Sequence, residues 1–326
     1  MNEKKFSVKK FEYLSSLNLS NFTIMNFDFI AIGKDNRPII FEWLKRGPEQ
    51  KDHITPLTSS PERYVNMNKG KFFAYQEAIN NLNASVFYVN YAPENTIING
   101  IDISNQIKVM QHINLSFKDN TPLTNNFFQK PLKIKTKVVA TFYSFSDFSN
   151  WLEKFLEEKS FKINSLIKET KEFTKKEAID YIKAKEKEYE IQQNKARENK
   201  KFNKYLVMPD LSGDIFEDRL NFDISKYKYQ IDFSIKYSKN YIFTNLVELD
   251  NDPFLFNEDY LLEVIHKNYN LSKFIDFNNK FMYIFFSLNT NNIRIITFEN
   301  NSYKSYFYLK NQINDYVRFI INSSSK

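Results

Sequence analysis

Two acidic residues interrupt hydrophobic segments near the start of this 326-residue chain and are its first candidates for chemistry. Asp28 lies in the run NFDFIAI (26–32), and Glu42 lies in IIFEWL (39–44) with Lys45 directly after it. A carboxylate inside an apolar strand costs free energy unless it is paired, hydrogen-bonded or bound to a metal. Mg²⁺ prefers oxygen ligands and often uses one or two carboxylates together with substrate phosphates. We therefore predict that Asp28 and Glu42 bind Mg²⁺, which would activate water, and that Lys45 neutralises a phosphate or positions the nucleophile.

The composition removes most other kinds of active site. The chain contains no cysteine, three histidines and five glycines. Without cysteine it has no disulfide, thiolate metal site or cysteine nucleophile. The glycines and histidines are too far apart for a dinucleotide-binding fingerprint, a phosphate-binding P-loop or an HExxH zinc motif. No GxSxG or SxxK motif frames a serine either, so carboxylate and lysine chemistry is favoured.

Two later acidic segments are interpreted as structural. The acids of residues 210–223 lack the spacing of a calcium-binding loop and read as turn and helix-start residues. Asp232 and Lys236 imitate a second acid–lysine pair, but an exposed strand face explains them better.

The charge and the hydropathy pattern bear on partners and location. A formal net charge of +7 favours a polyanionic partner, for which we expect nucleic acid, DNA or RNA. The 33 phenylalanines and 20 tyrosines have A/T-rich codons, so an A/T-rich genome explains them as well as base stacking does. No apolar run approaches the ~18 residues of a membrane span, and no secretory signal is evident at the N-terminus. We expect no membrane association and a cytoplasmic location, or an organelle interior if the gene is organellar.

The elements that position the two acids are predicted as a mixed sheet flanked by helices. Residues 22–32 and 39–44 are rich in β-branched and aromatic residues and are separated by a polar Gly/Pro turn, which predicts a hairpin. A helical pattern at 69–82 followed by an apolar run at 84–91 predicts a β-α-β crossover. Further strands and a helix capped by Ser146 are expected at 106–117, 133–142 and 146–156.

Three segments are predicted along the chain. Residues 1–158 form the α/β domain with the candidate site. Residues 159–207 lack Gly and Pro, are dense in Lys and Glu, and form a long charged helix or helical hairpin. Residues 208–326 form an α+β domain for substrate recognition or oligomerisation. We expect a homodimer or larger assembly through the 160–205 helix, and no repeat of fixed period is evident.

The arrangement around Asp28 and Glu42 resembles the core of the PD-(D/E)XK nuclease superfamily: an acid in a strand, a short hairpin, then an apolar strand with an acid and a lysine. The resemblance covers about residues 4–91 and implies a restriction-endonuclease-like core. It implies an endonuclease of restriction or defence type that hydrolyses phosphodiester bonds in DNA with Mg²⁺. Asp28 and Glu42 would be metal ligands, Lys45 the catalytic lysine, and Glu12 on the first predicted helix an added ligand. Gln76 stands where some members place a supporting helix residue.

One departure from the family bears on geometry. Two residues separate Glu42 from Lys45, where the family usually has one. Because successive side chains of a strand alternate between faces, Glu42 and Lys45 would face opposite sides of the sheet unless a bulge intervenes.

Other interpretations stay open. Asp28 and Glu42 can be structural carboxylates paired with Lys34, Arg37 or Lys45. The chain can instead be a non-catalytic component of a nucleoprotein assembly, such as an organellar ribosome or a phage or plasmid complex. A protein–protein scaffold that oligomerises through the charged helix is the third alternative.

Overall fold

Two mixed β-sheets flanked by helices make up this α/β protein, which confirms the mixed α/β class expected from the sequence. The structure is a computed structural model, and every structural statement below concerns the residues that it describes. These are residues 13, 16–17, 19, 23–46, 54–121, 123, 130–162, 174–198, 211–229, 231–237, 239–266, 280–299 and 302–323.

The strands and helices are numbered in chain order. The strands are β1 (Thr23–Met25), β2 (Phe29–Ile32), β3 (Pro38–Lys45), β4 (Ser85–Tyr91), β5 (Ile97–Ile98), β6 (Ile101–Asp102), β7 (Ile107–Phe117), β8 (Leu132–Phe142), β9 (Phe233–Tyr237), β10 (Asn240–Glu248), β11 (Lys280–Phe286), β12 (Asn292–Glu299) and β13 (Ser302–Leu309). The helices are α1 (Lys69–Leu82), α2 (Phe145–Lys159), α3 (Lys175–Glu198), α4 (Leu211–Glu217), α5 (Glu258–His266) and α6 (Ile313–Ser323). Short 3₁₀ turns lie at Pro61–Arg63, Ile224–Lys226, Pro253–Leu255 and Lys310–Gln312.

The chain divides into two compact units that are not contiguous in sequence. The first unit comprises Phe27–Ile163 and Phe216–Tyr229, and the second comprises Met1–Asn26, Asn164–Ile215 and Gln230–Lys326. This division departs from the three successive segments expected from the sequence. The reason is pairing: β1 is hydrogen-bonded to β9, and residues 216–229 contribute to the core of the first unit.

The first unit is built on the sheet β2-β3-β4-β7-β8. Strands β3 and β4 are parallel and are joined through α1, whereas the other neighbours are antiparallel. The turn between β2 and β3 is compact because Asn36 adopts φ 63, a left-handed conformation that asparagine tolerates. The N–H of Gly33 donates to the carbonyl of Arg37 at 2.8 Å and closes this turn.

The two faces of this sheet are covered by different helices. Phe41 and Trp43 of β3 pack on the face that α2 covers with residues four apart, Phe148, Leu152 and Leu156. Helix α1 covers the opposite face. Helix α2 is capped by the hydroxyl of Ser144, which accepts a hydrogen bond from the N–H of Asp147 at 3.3 Å; Ser146 is therefore not the cap expected from the sequence.

The second unit is built on the sheet β1-β9-β10-β11-β12-β13. Here β10 and β11 are parallel, and the remaining neighbours are antiparallel. Helix α6 packs on one face through residues at helical spacing, Ile313, Tyr316, Val317 and Ile320. Helix α3 lies within the charged segment expected at residues 159–207. Its residues Ala178 and Ile182 are buried beside Ile215. Assembly through this helix stays a prediction.

Among the described helices, none combines the length and the apolar character that crossing a lipid bilayer requires.

Candidate functional site

Asp28 and Glu42 lie opposite each other at one end of the β2–β3 hairpin. The ladder pairs Phe29 with Phe41, and continuing this antiparallel register by one residue sets Asp28 across from Glu42. The backbone N–H of Trp43 donates a hydrogen bond to Oδ2 of Asp28 at 2.8 Å. This bond fixes the Asp28 carboxylate against strand β3.

Glu42 is buried on the sheet face that α1 covers, with 1% of its side chain exposed. Lys71 and Tyr75 are four residues apart and so project from the same side of α1. The Tyr75 hydroxyl donates a hydrogen bond to Oε2 of Glu42, and the Lys71 ammonium group forms an ion pair with Oε1. A buried carboxylate needs such partners, because its desolvation is costly. Lys71 remains 45% exposed and connects the buried carboxylate with solvent.

Asp28 is influenced by two lysines from distant parts of the chain. Burial raises the pKa of Asp28, while the Lys71 charge, the Trp43 N–H and the Lys228 charge each lower it. The net direction is upward, so desolvation prevails over these attractions. Lys71 therefore acts on both carboxylates: it pairs with Glu42 and is the strongest attracting charge on Asp28.

Glu217 brings a further carboxylate toward Asp28. Its Oε1 accepts a hydrogen bond from the indole Nε1 of Trp43 at 2.9 Å. Lys228 donates to both of its oxygens, at 3.1 and 3.0 Å. Burial and the Asp28 charge raise the pKa of Glu217, whereas Lys228 and the Trp43 hydrogen bond lower it, and the net direction is upward. Trp43 thus contacts one carboxylate through its backbone and another through its ring.

Sequence reasoning missed Lys71 and Glu217 for different reasons. Glu217 was expected to be a turn or helix-start acid, and 174 positions separate it from Trp43. No local pattern signals a contact of that separation. The spacing of Lys71 and Tyr75 is visible in the sequence, but the face that α1 turns to the sheet depends on tertiary packing.

Lys45 lies on the opposite side of the sheet from Glu42. Strands β3 and β4 pair without a register shift from Ile39 to Lys45, so no bulge reverses the alternation. Phe41 and Trp43 pack against α2, and Lys45 shares their face. The structure therefore does not bring Lys45 to Glu42; the lysine at this carboxylate is Lys71.

Two other candidates from the sequence are not placed at the carboxylates. Glu12 lies outside the described residues. Gln76 is buried, and its Oε1 accepts hydrogen bonds from the N–H of Leu115 at 2.6 Å and from the His112 ring at 3.0 Å. It therefore joins α1 to β7. The other nitrogen of His112 contacts the Tyr88 hydroxyl at 2.6 Å, and burial lowers the pKa of His112 to about 4.

Two of the structural partners suggested by the sequence are engaged elsewhere. Lys34 donates to the carbonyl oxygen of Glu157 at 2.6 Å. Arg37 forms an ion pair with Asp35 at 2.7 Å. The partner of Glu42 comes instead from a helix that follows it in the chain.

The donor set at Asp28 and Glu42 suits a hard cation only as a two-carboxylate site. Within the described ranges, no three Asp, Glu or His side chains are grouped so that they could hold a metal ion. Mg²⁺ accepts such a sparse protein shell, because water and phosphate oxygens complete its octahedron. The two acids therefore fit this ion in chemistry and number, provided that the ion pair between Lys71 and Glu42 breaks when the ion binds.

A basic surface runs along the edge strand β8. Lys133, Lys135 and Lys137 are exposed at every second position and alternate with Leu132 and Ile134, which are buried. Their partners on β7 are neutral polar residues, Ser116, Asn114 and Gln111. Lysines on an edge strand discourage strand-to-strand aggregation, and a row of them also attracts a polyanion.

The chain was compared with models of known protein families, with curated proteins and with solved structures, and none of the three comparisons gave a match.

Proposed function

We propose that the chain is a Mg²⁺-dependent endonuclease that hydrolyses phosphodiester bonds in DNA at Asp28 and Glu42. The observation that carries the proposal is the cross-strand pair of carboxylates served by one half-exposed lysine, Lys71. Carboxylate pairs with a neighbouring cation suit phosphoryl chemistry, where one part of the site binds metal and another faces the phosphate. The resemblance to the PD-(D/E)XK nucleases supports the same reading.

Each side chain has a separate task in this proposal. The Trp43 amide holds Asp28 in place, and the Tyr75 hydroxyl holds one oxygen of Glu42. A bound Mg²⁺ would supply an activated water and offset charge on the phosphate. Lys71 takes the role that the sequence assigned to Lys45: its ammonium group leaves Glu42 and neutralises the phosphate as the substrate arrives.

The basic surface on β8 supports DNA as the substrate class. Three exposed lysines at alternate positions lie ~7 Å apart along the strand and meet no acidic neighbour on β7. Such a row fits the repeating charge of a phosphate backbone. It also supports the alternative of a non-catalytic nucleic-acid-binding component, which would bind DNA or RNA without cleaving it.

Cleavage of supercoiled plasmid with Mg²⁺ or Mn²⁺ tests the proposal. We expect cleavage by the wild type, and loss of cleavage in Asp28→Asn and Glu42→Gln. Asp35→Asn is the matched control, because Asp35 is an exposed acid in the turn of the same hairpin. Cleavage by Glu42→Gln at the wild-type rate contradicts the proposal, and so does an inactive wild type. DNA binding without metal-dependent cleavage would favour the non-catalytic alternative.

A further inference from the structure

The two units repeat one order of elements. In the first unit the hairpin β2–β3 is followed by α1, by β4 parallel to β3, by antiparallel β7 and β8, and by α2, with the short β5–β6 hairpin inserted between β4 and β7. In the second unit the hairpin β9–β10 is followed by α5, by β11 parallel to β10, by antiparallel β12 and β13, and by α6. The last helix of each unit packs on the equivalent face of its sheet. In the first unit α2 packs on the face that carries Trp43 of β3, and in the second α6 packs on the face that carries Leu246 of β10.

An aspartate begins each hairpin with the same hydrogen bond. Asp28 immediately precedes β2, and its Oδ2 accepts from the N–H of Trp43 at 2.8 Å. Asp232 immediately precedes β9, and its Oδ2 accepts from the N–H of Leu246 at 2.6 Å. The strand registers set Asp28 across from Glu42 and Asp232 across from Asn245. In each hairpin the N–H donor is therefore the residue that follows the one across from the aspartate.

A buried cation makes a second matching contact. Lys108 of β7 donates to the carbonyl of Leu57 at 2.6 Å, in the segment between β3 and α1. Arg294 of β12 donates to the carbonyl of Phe256 at 2.7 Å, in the segment between β10 and α5. The ladders place Lys108 and Arg294 at equivalent positions. Each of these segments also contains a 3₁₀ turn that begins at a proline, Pro61 or Pro253.

The same registers identify the counterpart of Glu42. Glu42 pairs with Tyr88 on the adjacent parallel strand, and Asn245 pairs with Tyr283 in the second unit. Asn245 therefore stands where Glu42 stands, and it is 6% exposed. Its Oδ1 is buried and accepts no hydrogen bond from the described residues. A carboxylate in the first unit is thus replaced by a neutral amide in the second.

We infer that the two units are copies of one duplicated fold, and that the second is the copy without a divalent-cation site because Asn245 replaces Glu42. The assignment of the ion to the first copy rests on the proposed function. Asp232 offers a single carboxylate beside the neutral Asn245, whereas Asp28 and Glu42 offer two anionic ligands to a hard cation. Of the two equivalent positions in the described residues, only the one with Asp28 and Glu42 consequently holds such an ion, and Asn245→Glu restores the second pair.

Counting bound Mn²⁺ by electron paramagnetic resonance of the full-length chain tests this inference, with Mn²⁺ as the probe for Mg²⁺. We expect one ion in the wild type, two in Asn245→Glu, none in Glu42→Asn and one in the double variant. A count that does not rise in folded Asn245→Glu overturns the inference, as does a wild type that binds two ions. If the wild type binds none and Asn245→Glu binds one, the equivalence of the units stands and the proposed function fails.

The reverse variant keeps the test valid if Asn245→Glu does not fold. The second unit accommodates asparagine at this position, so Glu42→Asn should keep a cooperative melting transition close to that of the wild type. Its loss of the bound ion supports the inference. A Glu42→Asn protein that unfolds, or that folds and retains the ion, contradicts it.

Discussion

Lys71 of helix α1 is paired with Glu42 of strand β3, and its ammonium group is also the charge that most lowers the pKa of Asp28. One half-exposed side chain thus interacts with two carboxylates at the end of the β2–β3 hairpin. Lys45 lies close to Glu42 in sequence but on the other face of the sheet. The structure separates these two lysines clearly enough for experiments to distinguish them.

Replacing Lys71 should impair DNA cleavage far more than replacing Lys45. We expect Lys71→Met to lower the single-turnover rate by about 10²-fold or more, the scale for loss of one positioned charge at a reacting group. Lys45→Met is the matched control and should keep nearly the wild-type rate. Equal losses in the two variants would show that Lys71 has no special place in the reaction.

The same substitution should shift the pH dependence of cleavage. Lys71 lowers the pKa of Asp28, so Lys71→Met raises it. Metal binding needs the ionised carboxylate, and the acid limb of the pH–rate profile should therefore move to higher pH. The profile is measured at one subsaturating Mn²⁺ concentration for the wild type, Lys71→Met and Lys71→Arg, because a saturating ion displaces the proton and hides the shift. Arginine keeps the positive charge and should leave the limb near its wild-type position.

Removing Lys228 should destabilise the first unit through Glu217. Glu217 is 10% and Lys228 22% exposed, so Lys228→Met leaves a carboxylate with little solvation. We expect a loss of about 3 kcal/mol in the free energy of unfolding, the usual cost of breaking a buried pair. Adding Glu217→Gln should recover much of this loss, because the amide needs no counter-charge. Urea unfolding of the two single variants and the double variant measures the coupling.

Acidification should destabilise the protein through His112. Burial lowers the pKa of His112 to about 4 in the folded chain, against about 6.5 when unfolded. Between these values the unfolded chain binds a proton that the folded chain does not. Stability is therefore lost as the pH falls from ~6.5 toward ~4, by about 3 kcal/mol in all. Urea unfolding across this range should show a weaker pH dependence for His112→Gln than for the wild type.

The lysines of β8 should contribute to DNA affinity in a salt-dependent way. Replacing Lys133, Lys135 and Lys137 with glutamine should reduce the slope of log K against log salt by up to about 3, since each phosphate contact contributes ~0.9. Fluorescence anisotropy with a labelled DNA duplex measures this slope. A control triple variant replaces exposed lysines elsewhere with glutamine, at Lys154, Lys183 and Lys226. An unchanged slope in the β8 variant would leave those lysines with only their role at the sheet edge.

The sequence predicts the elements around the site better than the contacts within it. The hairpin bearing Asp28 and Glu42 follows from two segments rich in β-branched and aromatic residues with a polar turn between them, and the crossover follows from the helical pattern of α1. The partner of Glu42 depends on how α1 is rotated against the sheet, which local periodicity does not fix. Glu217 reaches Trp43 only after the chain has left the first unit and returned.

The duplication escaped sequence reasoning for a related physical reason. Register and topology repeat, but the sequence separation between equivalent positions is not constant. It is larger for the pair Asp28 and Asp232 than for the pair Lys108 and Arg294. Connections between strands tolerate insertions, and many apolar side chains fill equivalent core positions, so a fold can repeat without a sequence period.

The return of residues 216–229 to the first unit has a consequence for synthesis of the chain. Phe216, Ile224 and Tyr227 complete the hydrophobic core beside Trp43, and the N–H of Tyr229 donates to the carbonyl of Ile30 at 2.8 Å. A ribosome has to release residue 229 of 326 before the first strands can acquire these neighbours. The N-terminal sheet, although translated early, is therefore completed late, and a nascent chain that stalls before residue 216 exposes an unfinished core to chaperones and proteases.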